Sequence, residues 1–328
     1  MKTSLSIKQL AVGVGLGVAM MNSASAALIT SFDATQEFEW TEPTTWENEA
    51  AGNYSMEGAT VGASAIDGYT KLAWGIPSTN NGSNPNGIQS SVVINAIAGD
   101  PTTPSNELTS GSVDTSTSLS DVHFAPGPVV THNNFVQQGG STALNTTSAQ
   151  DNVVLSAAGN GVVATQSITF GVDFKETMNN VGQTQAEGCY DGVAWTAEDG
   201  CGDIFVVDGI LGTPVNVIKH EGEHHDDANP SFTPVVAFEI DSFTLDGYLY
   251  RVLIREAEGA LGVLSDAACA VAGAESGCIG FTTFENQNNS FSLEYAILAS
   301  PVAVAAPATL ALLAGSLLMM GSIRRKQA

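Results

Sequence analysis

The sequence predicts an all-β protein: a β-sandwich of jelly-roll type with long loops, flanked at each end by an apolar helix. Several segments alternate apolar and polar residues with the two-residue period of a strand that has one buried face. Turn-forming runs such as Asn80-Asn81-Gly82 and Asp246-Gly247 recur between these segments. Charged residues make up only 13% of the chain, far fewer than the surfaces of helix-rich proteins carry.

The alternation is clearest at 168–174, 248–254 and 291–297, where aromatic and β-branched residues occupy every second position. One short helix is predicted at 261–270, and the stretch 98–120, which is rich in Ser, Thr, Pro and Gly, is predicted to be a mobile loop. Further strands are predicted at 28–40, 71–76, 89–97, 129–136, 151–157, 203–210, 214–219, 233–240 and 280–285.

Residues 1–26 have the three parts of a secretory signal peptide. Lys2 and Lys8 form a positive start, residues 10–21 are mostly apolar, and Ala24-Ser25-Ala26 offers a small-residue cleavage site. We therefore expect residues 27–300 to be an exported domain.

Residues 301–328 resemble a sorting tail. Pro307 precedes an apolar segment at 308–323, and Arg324, Arg325 and Lys326 follow it. A helix of this length spans about 24 Å, which is short for a hydrocarbon core of about 30 Å. We expect a transient inner-membrane anchor whose basic end stays in the cytoplasm. A C-terminal helix packed in the core is the alternative.

The charge balance excludes one class of partner. The chain has 34 acidic and 10 basic residues, for a net charge of −24, and half of the basic residues lie in the two end segments. Because no basic surface is available to neutralise phosphates, nucleic acid is not an expected partner. An exported domain of this charge attracts cations instead.

The four cysteines, Cys189, Cys201, Cys269 and Cys278, predict disulfides in an exported chain. Three pairings are open, and the short spacings favour Cys189–Cys201 with Cys269–Cys278. Zinc knuckles need closer spacing, so a four-thiolate zinc site is the weaker hypothesis.

His220-Glu221-Gly222-Glu223-His224 is a literal H-E-x-x-H, the zinc-protease pattern. That chemistry needs both imidazoles on one face of a helix, whereas the preceding run predicts a strand and Gly222 disfavours a helix. We therefore predict a solvated hairpin loop over 220–227. Loose metal binding by His220, His224 and His225 is an alternative.

A second metal hypothesis concerns Ca²⁺. Asp191, Glu198, Asp199 and Asp203 cluster around the first cysteine pair and offer the oxygen ligands that Ca²⁺ prefers. The spacing matches no calcium-loop motif, and an acidic surface produces such clusters without a ligand. No cofactor is therefore expected, and Ca²⁺ is the one alternative.

Thr131-His132-Asn133-Asn134 resembles the signature of the THxN family of PEP-CTERM proteins, and other segments agree with that family in order. The tail resembles a PEP-CTERM signal, although it lacks the Glu and the first Pro of the usual Pro-Glu-Pro. The matching segments are Trp74-Gly75, Gln89-Ser90-Ser91, Phe174-Lys175-Glu176-Thr177-Met178-Asn179, Cys201-Gly202-Asp203, and Cys278 to Glu285.

The resemblance implies a destination and no catalytic residue. Chains with such tails are processed by an exosortase-type enzyme and are associated with exopolysaccharide and biofilm matrix. The resemblance thus implies transient anchoring in the inner membrane, followed by release to the cell surface or extracellular matrix. The residues Thr131, His132, Asn133, Asn134, Glu176, Thr177 and Asn179 are expected to be structural.

The sequence as a whole indicates a non-enzymatic, exported surface or matrix protein. A carbohydrate- or Ca²⁺-binding adhesion module on the same fold is the alternative. A zinc metallohydrolase built on His220, Glu221 and His224 is a more remote one. Burial is the default expectation for Trp40, Trp46, Trp74 and Trp195.

Overall fold

The computed structural model describes residues 27–58, 68–78, 84, 87–97, 99–104, 109–157, 161–177, 195–196, 200–208, 213–221, 231–257 and 261–302. The expected signal peptide and most of the sorting tail, including Pro307, Arg324, Arg325 and Lys326, lie outside these ranges. Within them the protein is predominantly β, as the sequence predicts.

The described ranges contain β-strands, one 3₁₀ turn at Glu49–Ala51 and one short helix, α1 (Asp266–Ala272). The strands are β1 (Ser31–Glu47), β2 (Tyr54–Glu57), β3 (Lys71–Trp74), β4 (Ser90–Ile94), β5 (Ala96–Ile97), β6 (Asp100–Pro104), β7 (Thr109–Ser116), β8 (Phe124–Asn134), β9 (Ala143–Ala157), β10 (Gly161–Lys175), β11 (Trp195–Thr196), β12 (Gly200–Cys201), β13 (Asp203–Asp208), β14 (Thr213–Glu221), β15 (Ser231–Leu245), β16 (Tyr248–Glu256), β17 (Gly262–Val263), β18 (Ile279–Thr283) and β19 (Gln287–Pro301).

Most strands join one hydrogen-bonded path, in the order β17-β18-β13-β10-β9-β1-β7-β19-β8-β4-β3-β2. Neighbours such as β1 and β9 pair antiparallel, whereas β7 and β19 pair parallel over a short stretch. Strands β14, β15 and β16 pair in turn and join the path at β19. The long antiparallel pairs follow from the two-residue alternation of their sequences.

The chain divides into two compact units. The larger unit comprises Ile29–Phe243 and Tyr250–Ala299, and it contains every residue of the sites described below. In the smaller unit, the backbone N–H of Val302 donates to the carbonyl of Gly247 at 2.9 Å.

Strands that are distant along the path pack their side chains together in the larger unit. Trp74 of β3 lies 4.8 Å from Phe174 of β10, between ring centroids, and both are fully buried. Phe205 of β13 stacks on Phe281 of β18 at 4.9 Å. The core therefore lies between the β3–β4–β8 strands and the β10–β13–β18 strands, because their inward faces carry the large apolar residues.

Two sequence predictions need correction here. The stretch 98–120 is not one loop, because it contains β6 and β7, and β7 pairs with β1 from Ser31↔Asp114 to Gln36↔Thr109. The helix predicted at 261–270 begins later, at Asp266, because Ser265 caps it by accepting a hydrogen bond from the Ala268 N–H. The residues before it form β17.

The expected burial of the tryptophans holds for Trp40 and Trp74, which are fully buried, and Trp46 is partly buried. None of the helices in the described ranges is long and apolar enough to cross a membrane.

Candidate functional site

Three carboxyl groups meet where three neighbouring strands begin or end. Glu176 directly follows β10, Asp203 begins β13, and Glu285 lies two residues beyond the end of β18. These strands are adjacent in the order β10-β13-β18, and Asp203 pairs with Thr283. One carboxylate oxygen from each residue lies within 4.8 Å of the other two. We call Glu176, Asp203 and Glu285 the carboxylate cluster.

The strand period explains why two of the three side chains point inward. Phe174 pairs with Phe205, and Phe205 pairs with Phe281, so these buried rings share one face of the sheet. Asp203 lies two residues from Phe205 within β13, and Glu176 lies two residues from Phe174 directly after β10, which places both on the same inward face. Glu285 lies in the turn after β18, and its side chain is also buried. The cluster therefore continues the apolar core at the end of the strands.

Two of the carboxylates are held by hydrogen bonds. The indole Nε1–H of Trp74 donates to Oε2 of Glu176 at 2.8 Å. The backbone N–H and the hydroxyl of Thr177 donate to Oδ1 of Asp203 at 2.7 and 3.3 Å. Glu285 differs, because both of its carboxylate oxygens are buried and neither has a hydrogen-bond partner in the described structure.

The T-H-x-N segment lies beside the cluster on the end of β8. His132 Nδ1 lies 2.9 Å from the hydroxyl of Thr283, and the Asn134 amide donates to the carbonyl of Thr283 at 2.8 Å. The His132 ring stacks on Trp74, whose indole reaches Glu176. Residues 131–134 and the cluster are therefore linked through Thr283 and Trp74.

The other two residues of this segment anchor β8 to its neighbours. The Asn133 amide donates to the carbonyl of Pro101 at 2.7 Å and to the hydroxyl of Ser91 at 3.3 Å. The hydroxyls of Thr131 and Ser290 are 2.8 Å apart. These contacts join β8 to β4, β6 and β19, and the structural role expected of the segment stays a prediction.

Burial shifts the pKa values of the three carboxyl groups and of His132. It raises the pKa of Glu176 to about 7, and the hydrogen bond from Trp74 only partly opposes this. Burial and the charge of Glu176 raise the pKa of Glu285 to about 9, and burial with both neighbouring carboxylates raises the pKa of Asp203 well above its usual range. Burial lowers the pKa of His132 to about 3, so its imidazole is neutral at physiological pH.

A second polar cluster comprises Asp121, His123 and His220. Val122 and Lys219 form a parallel bridge, which brings their neighbours together. Nδ1 of His220 lies 3.0 Å from Oδ1 of Asp121, and Nε2 of His123 lies 3.5 Å from the same oxygen. Their side-chain nitrogen and oxygen atoms could hold a metal ion, because all three lie within 4.8 Å of one another.

The structure corrects the predicted loop at 220–227. His220 and Glu221 are the last residues of β14, paired with Phe232 and Ser231 of β15, and His220 is buried. The predicted hairpin is present as this antiparallel pair. His224 and His225 lie outside the described residues, so the zinc-protease geometry stays a hypothesis.

The structure describes only some of the residues in the cysteine and calcium predictions. Cys269 and Cys278 lie at disulfide distance, with Cα atoms 5.7 Å apart. Cys201 is buried and disulfide-bonded. Cys189, Asn179, Asp191, Glu198 and Asp199 lie outside the described residues, whereas Asp203 joins Glu176 and Glu285, a combination that the sequence analysis missed.

An open groove borders the cluster along the chain. It is lined by amide side chains and one aromatic ring: Asn133, Phe135, Asn286, Gln287 and Asn288. Asn286 directly follows Glu285, so the groove starts one residue from the cluster.

A comparison with protein-family models finds no match, and a comparison with curated proteins finds none either.

Proposed function

We propose that this chain is a non-enzymatic, exported protein of the cell surface or extracellular matrix, delivered by an exosortase-type system and associated with exopolysaccharide. The observation that carries the proposal is the position of the resembling segments. Their ionisable residues, such as His132 and Asp203, face the interior and bond to neighbouring strands. A catalytic group must reach a substrate, and these residues hold strands together instead.

We also propose that the larger unit is a β-sandwich of jelly-roll type. The proposal is supported by the packing of β3, β4 and β8 against β10, β13 and β18, and by the antiparallel pairing of most strands. Two packed layers are the usual way to cover the apolar face of an antiparallel sheet.

Deletion and complementation in the native cell test the function. Loss of the chain should alter the surface or matrix, and the full chain should restore it. Glu221→Gln should complement as well as the wild type, because no hydrolytic step is proposed. A variant that lacks residues 308–328 should fold but fail to complement. Complementation lost with Glu221→Gln would favour the metallohydrolase instead.

A carbohydrate-binding module is a second candidate, favoured by the groove at 286–288. Asn and Gln side chains carry both donors and acceptors that can meet sugar hydroxyls, and an aromatic ring such as Phe135 can cover an apolar sugar face. The acidic chain would bind a neutral glycan more readily than an anionic one.

Glycan-array binding by the purified chain tests this second candidate. We expect Asn286→Ala with Asn288→Ala to abolish any specific binding, whereas Asn145→Ala, an amide outside the groove, should not change it. Binding that the double variant leaves intact would place the sugar elsewhere.

A further inference from the structure

We propose that Glu176, Asp203 and Glu285 form a Ca²⁺ site in the interior of the larger unit. The site differs from the acidic loop predicted at Asp191 and Asp199, with which it shares only Asp203. The proposal does not depend on export, sorting or sugar binding.

The distances between the three carboxylate oxygens suit a single Ca²⁺ ion. Ca²⁺ binds oxygen at about 2.3–2.6 Å, so two ligands on opposite sides of one ion are separated by up to about 5 Å. One carboxylate oxygen from each of the three residues lies within 4.8 Å of the others. The three atoms can therefore contact a single ion without a change in the strands that carry them.

The negative charge of the three carboxylates is not balanced by a salt bridge among the described residues. No described Lys or Arg forms an ion pair with any of the three carboxylates, and Lys175, the nearest cation along the chain, pairs with Glu47 instead. Three like charges that share one interior site repel one another and are costly to desolvate. Such a group needs protons or a cation, and a divalent ion neutralises two of the three charges at once.

The Glu285 carboxylate is buried without any hydrogen-bond partner in the described structure. Its exposure is 2%, and neither of its oxygens has a hydrogen-bond partner among the described residues. Buried polar atoms are nearly always satisfied, so a wholly unpartnered carboxylate that points at two others indicates a missing ligand. Oε1 of Glu176 and Oδ2 of Asp203 are buried as well, but the Glu176 and Asp203 carboxyls share a hydrogen bond, so Glu285 is the carboxylate left wholly without a partner in the described part of the chain.

The donor set favours Ca²⁺ over other divalent metals. The cluster contains only carboxylate oxygens, whereas Zn²⁺ sites combine any carboxylate ligand with His nitrogen or Cys sulfur. Mg²⁺ demands a regular octahedron at about 2.1 Å and keeps most of its waters. Ca²⁺ accepts irregular sets of six to eight oxygens, so it tolerates carboxylates whose positions are fixed by three separate strand ends.

Calorimetric titration of the full chain tests the proposal. The protein is purified in detergent, stripped with a chelator, and titrated with Ca²⁺, Mg²⁺ and Zn²⁺ separately. We expect one tightly bound Ca²⁺ per chain and a higher melting temperature in its presence. Glu285→Gln should weaken Ca²⁺ binding at least tenfold and remove the thermal shift. Glu275→Gln, which removes the same charge from an exposed position, should leave both unchanged.

Tb³⁺ luminescence supplies a readout that stability does not affect. Tb³⁺ replaces Ca²⁺ at oxygen sites and emits when a nearby tryptophan is excited. Because the Trp74 indole bonds to Glu176, we expect sensitised emission that Ca²⁺ displaces and that Trp74→Phe abolishes. Should Glu285→Gln fail to fold, Asp203→Asn replaces it in both experiments.

Three results would overturn the proposal. The first is the absence of Ca²⁺ binding and of any thermal shift at millimolar Ca²⁺. The second is weak binding that Glu285→Gln does not change, which is what a surface of scattered acids would show. The third is retention of Zn²⁺ alone, lost with His220→Ala, which would assign the metal to Asp121, His123 and His220.

Discussion

At the scale of single residues, Asp151 shows how burial in the core changes the pKa of a single carboxyl group. This residue of β9 is fully buried, and one oxygen accepts a hydrogen bond from the Gln36 amide at 2.5 Å. Burial raises the pKa of Asp151 to about 7. Burial, together with the charge of Asp151, raises the pKa of Tyr295 to about 12. The folded protein therefore keeps a proton on Asp151 that the unfolded chain releases near pH 4.

The pH dependence of stability follows from that difference. Because the pKa of Asp151 is higher in the folded state, its favourable contribution is complete below about pH 4 and is lost as pH rises through about 7. The full difference corresponds to about 4 kcal/mol, an upper value for the effect of one group. We expect Asp151→Asn to raise the free energy of unfolding at pH 8 by about 2–4 kcal/mol and to change little near pH 4.

Urea denaturation at the two pH values measures this effect. Asp33→Asn is the control, because Asp33 is exposed on the neighbouring strand β1 and should show no such pH dependence. A variant at Asp151 that is less stable than the wild type at pH 8 would contradict the expectation.

The sequence alone predicts which residues are buried better than it predicts which residues they contact. Trp74 could be assigned to the core because a large apolar ring is rarely left in water. Glu285 could not, because Glu is a surface residue by default and only the pairing of β13 with β18 brings it to Asp203. The spacing of Glu176, Asp203 and Glu285 along the chain carries no local period, so the cluster is visible only once the strands are paired.

At the scale of elements, β7 is a strand that its amino-acid composition does not predict. Its sequence is rich in Ser and Thr, yet it pairs with β1 from Thr109 to Asp114 and with β19 at Thr115 and Ser116. Val113 is its buried apolar side chain, with 1% exposure. The alternation that identified β10 and β19 depends on large residues, and a strand with one such residue gives almost no periodic signal.

Truncation of Val113 tests the importance of β7. We expect Val113→Ala to lower the free energy of unfolding by about 2 kcal/mol, because the side chain leaves a cavity in the core. Leu119→Ala removes more atoms from an exposed position nearby and should cost much less. Equal losses from the two variants, measured by urea denaturation, would show that β7 is not a packed strand.

A disulfide closes a short loop between helix α1 and strand β18. Cys269 lies within α1, and Cys278 directly precedes β18, so their disulfide ties the helix to the strand that leads to Glu285. Closing a loop of this size is worth about 3 kcal/mol in the chain-entropy model. We expect the double variant Cys269→Ser, Cys278→Ser to lose about that much stability in chemical denaturation without reductant.

The contrary result is equally clear. A double variant as stable as the wild type would mean that packing of Ala268 and Ala272 against Ile204 and Val206 holds α1 without the disulfide.

At the scale of the whole molecule, residues 1–26 and 301–328 are expected to decide where the protein goes. If residues 1–26 are a signal peptide and residues 301–328 a sorting tail, mature protein from native cells should begin at Ala27 and end before the apolar segment at 308–323. Intact-mass spectrometry of surface and matrix fractions measures both ends. Most molecules carrying Arg324 and Arg325 would contradict processing and leave a retained membrane anchor.

Segments distant in the sequence converge on Glu176, Asp203 and Glu285, which we propose hold an interior cation. Anomalous scattering from crystals of the protein grown with Tb³⁺ or Ca²⁺ tests it most directly. The account predicts one strong peak bounded by oxygens of Glu176, Asp203 and Glu285, at ligand distances of about 2.3–2.6 Å for Ca²⁺. Carboxyl groups hydrogen-bonded to one another with no ion between them, or a peak at Asp121 and His220 instead, would contradict it.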